Sequence, residues 1–309
     1  MDLLSDILDT IALRGQIYFR TCFTGPWSVA VPQYQRAIRF HYVVQGVCHV
    51  TMSAGQELAL RQGDIALIPS GAAHILSDQP GRIAASLETV LNDAGFTGEG
   101  ALCLGAGDDN HATQMICGHF VFAEGSDHPL LRAMPQHFHI TAGMRTRNLW
   151  LDEALRLMAR QMMSDNPGGS AAVRRMSEVI FIEAIRCCAE QSKELERFMH
   201  ALSDAKISRA LAAIHQMPAQ AWTVEKMAAA AAMSRSRFAD RFQELTGMAP
   251  LAYLTEWRMQ RARRMLSSTS ANIQEIAGAV GYQSAAAFTR AFATMYGEPP
   301  TDFRRRAAA

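Results

Sequence analysis

Arg235, Ser236, Arg237, Ala239, Asp240 and Arg241 lie in one short segment; Gln283, Ser284, Ala285, Ala286, Thr289 and Arg290 lie in a second, about fifty residues on. Arginine holds a phosphate or reads guanine through two parallel hydrogen bonds, and small or methyl-bearing residues touch the thymine methyl. Singly, each is what any solvated helix face carries. Their setting argues for more. Ser234, Phe238, Phe242, Gly247 and Pro250 recur as Ser284, Phe288, Phe292, Gly297 and Pro300, every pair offset by 50. The candidate readers therefore sit on a duplicated element.

That element reads as a helix-turn-helix. In the first copy Thr223 caps a helix over 224–231, a turn passes Ala232-Met233, and Ser234 caps the next helix. In the second, Asn272 caps 273–279, the turn is Val280-Gly281-Tyr282-Gln283, and Ser284 caps the next. Gly281 suits a positive-φ position. Phe238/Phe242 and Phe288/Phe292, four apart, form each second helix's buried rib, and Gly247 and Gly297 end those helices. Between the copies, 251–266 is one helical pattern with Leu251, Leu254, Arg258, Arg261 and Met265 on a face. Such a helix fixes the separation of two readers, about 34 Å if both meet one side of B-DNA.

The chain has 309 residues, 49% of them hydrophobic, enough for two domains with separate cores. This composition excludes disorder, and no apolar run reaches the roughly 20 residues of a membrane helix. The acidic start, Met1-Asp2-Leu3-Leu4, lacks a basic n-region, so the expected location is the cytoplasm, with the six cysteines mostly reduced. Charge is uneven. Residues 201–309 hold 14 Lys+Arg against 8 Asp+Glu, a net +6; residues 1–200 hold 16 against 21, a net −5. Only the C-terminal part is expected to meet a polyanion. A modest +6 and a duplicated reader argue against non-specific DNA packaging.

The N-terminal part reads as β. Runs at 40–44, 48–52, 58–60, 65–68, 83–90 and 113–122 are separated by turns such as Gln62-Gly63-Asp64 and Pro69-Ser70-Gly71. The glycine-rich 91–110 reads as a mobile surface loop. From residue 129 the period becomes helical. Leu151, Leu155, Met158 and Met162 form one stripe, and Val173, Met176, Ile180, Ala184 and Cys187 a second, with a stop at Asp165-Asn166-Pro167-Gly168-Gly169. These helices cover their own domain or form a dimer seam.

The C-terminal residues resemble the AraC/XylS transcriptional regulators. The resemblance rests on Trp257-Arg258, Ala262-Arg263-Arg264-Met265-Leu266, Ile276-Ala277, Gly281-Tyr282-Gln283-Ser284, Phe288-Thr289-Arg290-Ala291-Phe292, Gly297-Glu298-Pro299-Pro300 and Phe303-Arg304. It covers 205–306 and implies a seven-helix domain with both helix-turn-helix units in successive major-groove segments. Its base-facing positions fall on Ser236, Ala239 and Asp240, and on Ala285, Ala286, Thr289 and Arg290. Asp240 departs from the pattern, because an acid repels phosphate; it is suited to accept from a cytosine amine.

Residues 10–140 resemble the cupin sensor domains fused to such regulators, through 40–46, 60–74, Cys117-Gly118-His119-Phe120 and Pro129-Leu130-Leu131. The implied fold is a small β-barrel with a ligand or metal pocket. Cupin enzymes hold a metal with two close histidines, a Glu and a later His. Only His41 and His74 match here; Val43 stands where the second His belongs, and no Glu follows. That absence argues against the rival class, a cupin-type enzyme with a DNA-binding appendage, and no catalytic residues are expected. If their strands face one interior, Cys22 and Cys117 join His41 and His74 as a tetrahedral zinc site or a redox-sensitive cluster. The plain alternative makes them core residues, and a small organic effector is the third. Cys187-Cys188 reads as helix packing, and Cys48 and Cys103 show no partner pattern.

The expected architecture is α+β with two domains. A cupin-like β-barrel with amphipathic helices, for sensing and dimerisation, spans 1–200. An all-α AraC-type domain spans 201–309, with helix-turn-helix units at 224–245 and 272–295 joined by a long helix. The expected function is a sequence-specific activator, gated by thiol oxidation, metal or small ligand. Its expected partners are double-stranded DNA, RNA polymerase and a second copy of itself.

Overall fold

The computed structural model describes residues 2–34, 37–98, 100–105, 112–123, 127–162 and 167–307. They group into two compact units. A sheet unit holds Leu13–Phe122 and Met134–Ser192, and a helical unit holds Met1–Ala12, Ala123–Ala133 and Lys193–Ala309. The grouping does not follow a single cut near residue 200. Helix α1 (Leu3–Ile11) and the segment around α3 (Pro129–Arg132) belong with the C-terminal helices.

The sheet unit contains β1 (Arg14–Phe23), β2 (Ser28–Val31), β3 (Ala37–Gln45), β4 (Val47–Met52), β5 (Glu57–Arg61), β6 (Ile65–Ile68), β7 (His74–Ser77), β8 (Ala85–Ser86), β9 (Ala101–Leu104), β10 (Thr113–Val121) and β11 (Phe138–Ile140). They form one sheet ordered β11-β6-β3-β10-β1-β9 and another ordered β5-β4-β7-β2-β8. The expected closed barrel is thus two separate sheets. Their inner faces share one core, with Phe23, Val43, Met115 and Cys117 from the larger and Val29, Val50, Leu60 and Leu76 from the smaller. Alternation along β3 and β10 sends Phe40 and Phe120 to the opposite face, where Phe120 meets Phe181 of α6 (Gly169–Cys188) with ring centroids 4.8 Å apart. A Cβ at Gly15 of β1 would meet the Ser177 hydroxyl, so that glycine lets α6 lie against the sheet.

Two sequence expectations change here. The run at 83–90 is only β8 before Ser86 accepts a hydrogen bond from Thr89 N–H at 3.1 Å and starts α2 (Leu87–Asp93). The stretch 91–110 contains the end of α2 and strand β9; Glu99 and residues 106–110 lie outside the described residues. The stripe of α5 (Leu149–Met162) faces inward, with Leu151, Leu155 and Met158 buried, as are Val173 and Ile180 of α6. The buried residues of those stripes pack within their own unit, and Met162, Met176 and Cys187 are half-buried. Asp165 and Asn166 of the expected stop are outside the described residues, and Gly168 precedes α6 with φ +80°.

Helix α4 (Ala142–Arg147) belongs to the sheet unit; besides α1 and α3, the helical unit contains α7 (Lys193–Ser203), α8 (Ile207–Gln216), α9 (Val224–Ala230), α10 (Arg235–Thr246), α11 (Pro250–Ser268), α12 (Ile273–Ala279), α13 (Ala285–Tyr296) and α14 (Pro300–Ala307). Helix α11 buries Tyr253, Leu254, Trp257, Met259, Ala262 and Leu266, a broader face than its sequence pattern suggests, while Leu251 stays exposed. Helix α1 is tied in through Asp6, whose carboxylate lies 2.9 Å from His215 Nδ1; His215 Nε2 is 2.8 Å from the Tyr253 hydroxyl, and its ring stacks on Trp257 at 3.6 Å. No helix among the described residues is long and apolar enough to cross a membrane.

Candidate nucleic-acid interface and sensor interior

The duplicated elements are helix-turn-helix units. Phe238, Phe242, Phe288 and Phe292 are fully buried, and both second helices end on left-handed glycines, Gly247 and Gly297. The first helices close alike: Met233 N–H donates to Ala228 O at 2.9 Å, and Tyr282 N–H to Ala277 O at 2.8 Å. These turns align with an offset of 49, whereas the second helices keep 50, so Gln283 is the extra residue of the second turn. The left-handed position holds Gly281 (φ +86°) in one copy and Ala232 (φ +50°) in the other.

Capping differs as well. Asn272 and Glu275 form a reciprocal capping box, and Ser284 accepts from Ala287 N–H at 3.2 Å. Thr223 accepts from Lys226 N–H at 3.3 Å, but Ser234 makes no side-chain cap, contrary to the sequence expectation. Arg235, Ser236, Arg237, Asp240, Gln283, Ser284, Ala286 and Arg290 are exposed, and Ala239, Arg241, Ala285 and Thr289 are partly so. Their charges are not equivalent. Arg235 pairs with Glu225 at 2.7 Å, and Arg241 is held by Asp204 at 3.3 Å and Glu244 at 3.0 Å. Among the described residues, Arg237 and Arg290 have no ion-pair partner.

In the sheet unit, inward positions of β3 and β10 bring His41 and Cys117 together. His41 Nδ1 lies 3.2 Å from Cys117 Sγ, and His41 Nε2 lies 2.8 Å from His74 Nε2. His74 Nδ1 lies 2.8 Å from the Ala72 carbonyl, which only accepts. That contact fixes the protons along the row: His74 donates to Ala72, His41 donates to His74, and the Cys117 thiol donates to His41. The protonation states agree. Burial, reinforced by the charges of His74 and Arg39, holds His41 well below the usual histidine range; burial brings His74 down to about 4 and pushes Cys117 up to about 12.

The expected zinc set does not form. His41 points its two nitrogens in opposite directions, so Cys117, His41 and His74 make a row rather than a cage around one point. Cys22 is opposite Gln114 in the strand register while Cys117 is opposite Phe19, which places Cys22 on the other face of the sheet. No cluster of metal-ligating residues occurs among the described residues. The interior cavity beside the row, lined by Phe19, Arg39, His41, Leu76 and Cys117 among others, has a volume of about 20 Å³. That holds one water-sized species.

Four features escaped the sequence reading. Cys103 of β9 pairs directly with Cys22 of β1, and both line a cavity of about 270 Å³ under Ala159 and Met162 of α5. A hydrogen bond from Cys188 lowers the Cys187 thiol to about 7. Ala232 occupies a glycine-like position. Arg39 is a buried cation next to His41, and a charged residue at an inward strand position was its available signal.

Comparison with known proteins places these units. Residues 2–190 match the family described as Cupin, and residues 227–306 match a Helix-turn-helix domain. The chain is 33% identical to the HTH-type transcriptional regulator AlkR of Acinetobacter baylyi, covering 99% of this chain and 100% of that protein. It is 29% identical to a putative AraC-like transcription regulator of Streptomyces antibioticus, covering 99% of each. It is 27% identical to the RCS-specific HTH-type transcriptional activator RclR of Escherichia coli, covering 99% of this chain and 98% of that protein. Full-length similarity at this level, with both domains in the same order, makes this chain a member of the AraC family of HTH-type transcriptional regulators, its helix-turn-helix domain preceded by a cupin domain.

Proposed function

We propose that the protein activates transcription by reading operator DNA through α10 and α13, and that thiol oxidation in the sheet unit gates it. The carrying observation is the pair of exposed helix faces, each with a guanidinium that no carboxylate among the described residues holds: Arg237 and Arg290. The other candidate contacts, Arg235, Ser236, Ala239, Asp240 and Arg241 with Gln283, Ser284, Ala285, Ala286 and Thr289, surround these two. Arg235 and Arg241 must leave their ion pairs to reach DNA, whereas Arg237 and Arg290 need not.

Support for thiol gating comes from what the interior excludes. It has no metal cage among the described residues. It offers Cys117 against His41, and Cys22 beside Cys103. Oxidation of the latter pair by a hydroperoxide or hypohalous acid removes two thiol protons and two electrons, forms one S–S bond and reduces the oxidant. The name of the Escherichia coli relative favours both activation and a chemical signal. A cytoplasmic homodimer that recruits RNA polymerase completes the reading, since two linked readers raise avidity without new contacts.

The test is binding to an operator selected from genomic fragments, with and without oxidant. Cys22→Ser, Cys103→Ser and Cys117→Ser should blunt the oxidant response and leave binding of the reduced protein unchanged. A triple serine variant that responds like the parent removes thiol gating; loss of sequence preference in the parent removes the DNA reading.

A further inference from the structure

We propose that the inner face of the sheet unit contains a receptor for a small monovalent inorganic anion of halide size, built on Arg39 with Tyr18, Tyr34 and His119. This goes beyond thiol gating and stands if that reading fails.

Arg39 is 5% exposed and has no carboxylate partner among the described residues. Among the described residues its side chain makes one long hydrogen bond, 3.4 Å from Nη2 to the Pro32 carbonyl, and its buried Nε has no partner. Its guanidinium lies 5.3 Å from the centre of the Tyr18 ring and 5.2 Å from that of Tyr34. His119, directly across the strand pair, packs on both tyrosines and leaves its buried Nδ1 without a partner. The cluster therefore has one idle donor at Arg39 Nε, one unpartnered ring nitrogen on His119 and one buried positive charge.

Among the described residues nothing nearby neutralises that charge. Burial, assisted by Arg39 itself, brings His119 down to about 4, and burial pushes Tyr18 up to about 12. His41, His74 and Cys117 are neutral as described above. A buried cation without a counter-charge is strongly unfavourable, and the ring faces offset only part of that cost. An anion supplies what water cannot. The adjoining cavity of about 20 Å³, which Tyr18, Arg39, His41 and Cys117 all line, admits one atom-sized occupant. That size selects a halide or similar anion over the carboxylate of a larger molecule.

Bromide is the probe. Crystals of the full chain soaked in bromide should show an anomalous peak in this cavity at hydrogen-bonding distance from Arg39. In solution, chloride resonance broadening by the protein should saturate and be reversed by bromide but not by acetate. Arg39→Gln should weaken this binding at least about tenfold. Absence of anomalous density from the cavity overturns the proposal, and needs no variant to fold. Broadening that never saturates, or that persists in a folded Arg39→Gln protein, also overturns it. Displacement by acetate as effective as by bromide overturns the size assignment.

Discussion

The two helix-turn-helix copies have the same rib of buried phenylalanines and the same glycine stop, yet they reach their shape by different means. The second is organised by its own sequence. Gly281 makes the turn, Asn272 and Glu275 cap α12, Ser284 caps α13, and Gln274 Oε1 accepts from Ala285 N–H at 3.1 Å. The first leans on its surroundings. Its turn forces Ala232 into a left-handed conformation, its Ser234 caps nothing, and Arg241 ties α10 to Asp204 between α7 and α8. The difference separates charge from readout. The first copy carries more arginines, but its surroundings occupy two of the three; the second carries one, and it is free.

The largest expected effect tests the turns. A Cβ at Gly281 would lie 2.9 Å from Ala219 Cα and 2.7 Å from Arg258 Nη2, the guanidinium that donates to the Pro218 and Gln220 carbonyls. Gly281→Val should lower unfolding stability by roughly 2–4 kcal/mol in urea, from left-handed strain plus overpacking. Stability within about 0.5 kcal/mol of the parent would show that the second turn is no stiffer than the first.

Readout comes next. Arg290→Ala and Arg237→Ala should each cost about 1–3 kcal/mol on the operator and much less on random DNA. Arg241→Ala should lower stability first, because it frees Asp204, and weaken both DNAs alike. A specific operator defect from Arg241→Ala alone would reverse the comparison.

The caps predict a smaller contrast. Ser284→Ala should cost about 1 kcal/mol of stability, while Ser234→Ala should be silent. Equal costs would mean that Ser234 caps in solution. Smallest of all, Ala232→Gly should gain up to about 0.5 kcal/mol by relieving the left-handed strain. In the sheet unit, near neutral pH, iodoacetamide should label exposed Cys103 and acidic Cys187 first and buried Cys48, Cys117 and Cys188 late, as peptide mass mapping would show. Early labelling of Cys117 would contradict its place as donor to His41.

The repeat was legible because Ser, Phe, Gly and Pro at fixed spacing report helix start, rib and stop directly. The tertiary partners were not. Helical stripes in α5 and α6 show that one face is buried but not against what; Leu155 and Ile180 lie inside their own unit. Cys22 and Cys117 were grouped by strand membership, yet facing depends on register. The pairing of β1 with β10 shifts between Ile17 and Phe19, and such shifts hide strand parity from a sequence. The Cys22–Cys103 pair was invisible because β9 lies in a stretch whose glycines read as loop. Arg39 carries its signal, a charge at an inward strand position, only once the register of β3 is known.

The most direct test of two unequal readers is a footprint on the selected operator. Two protected major-groove segments on one face, about 34 Å apart, are expected. Arg237→Ala should weaken protection at one segment and Arg290→Ala at the other. A single protected segment, or loss at both from either substitution with equal loss on random DNA, would contradict the account.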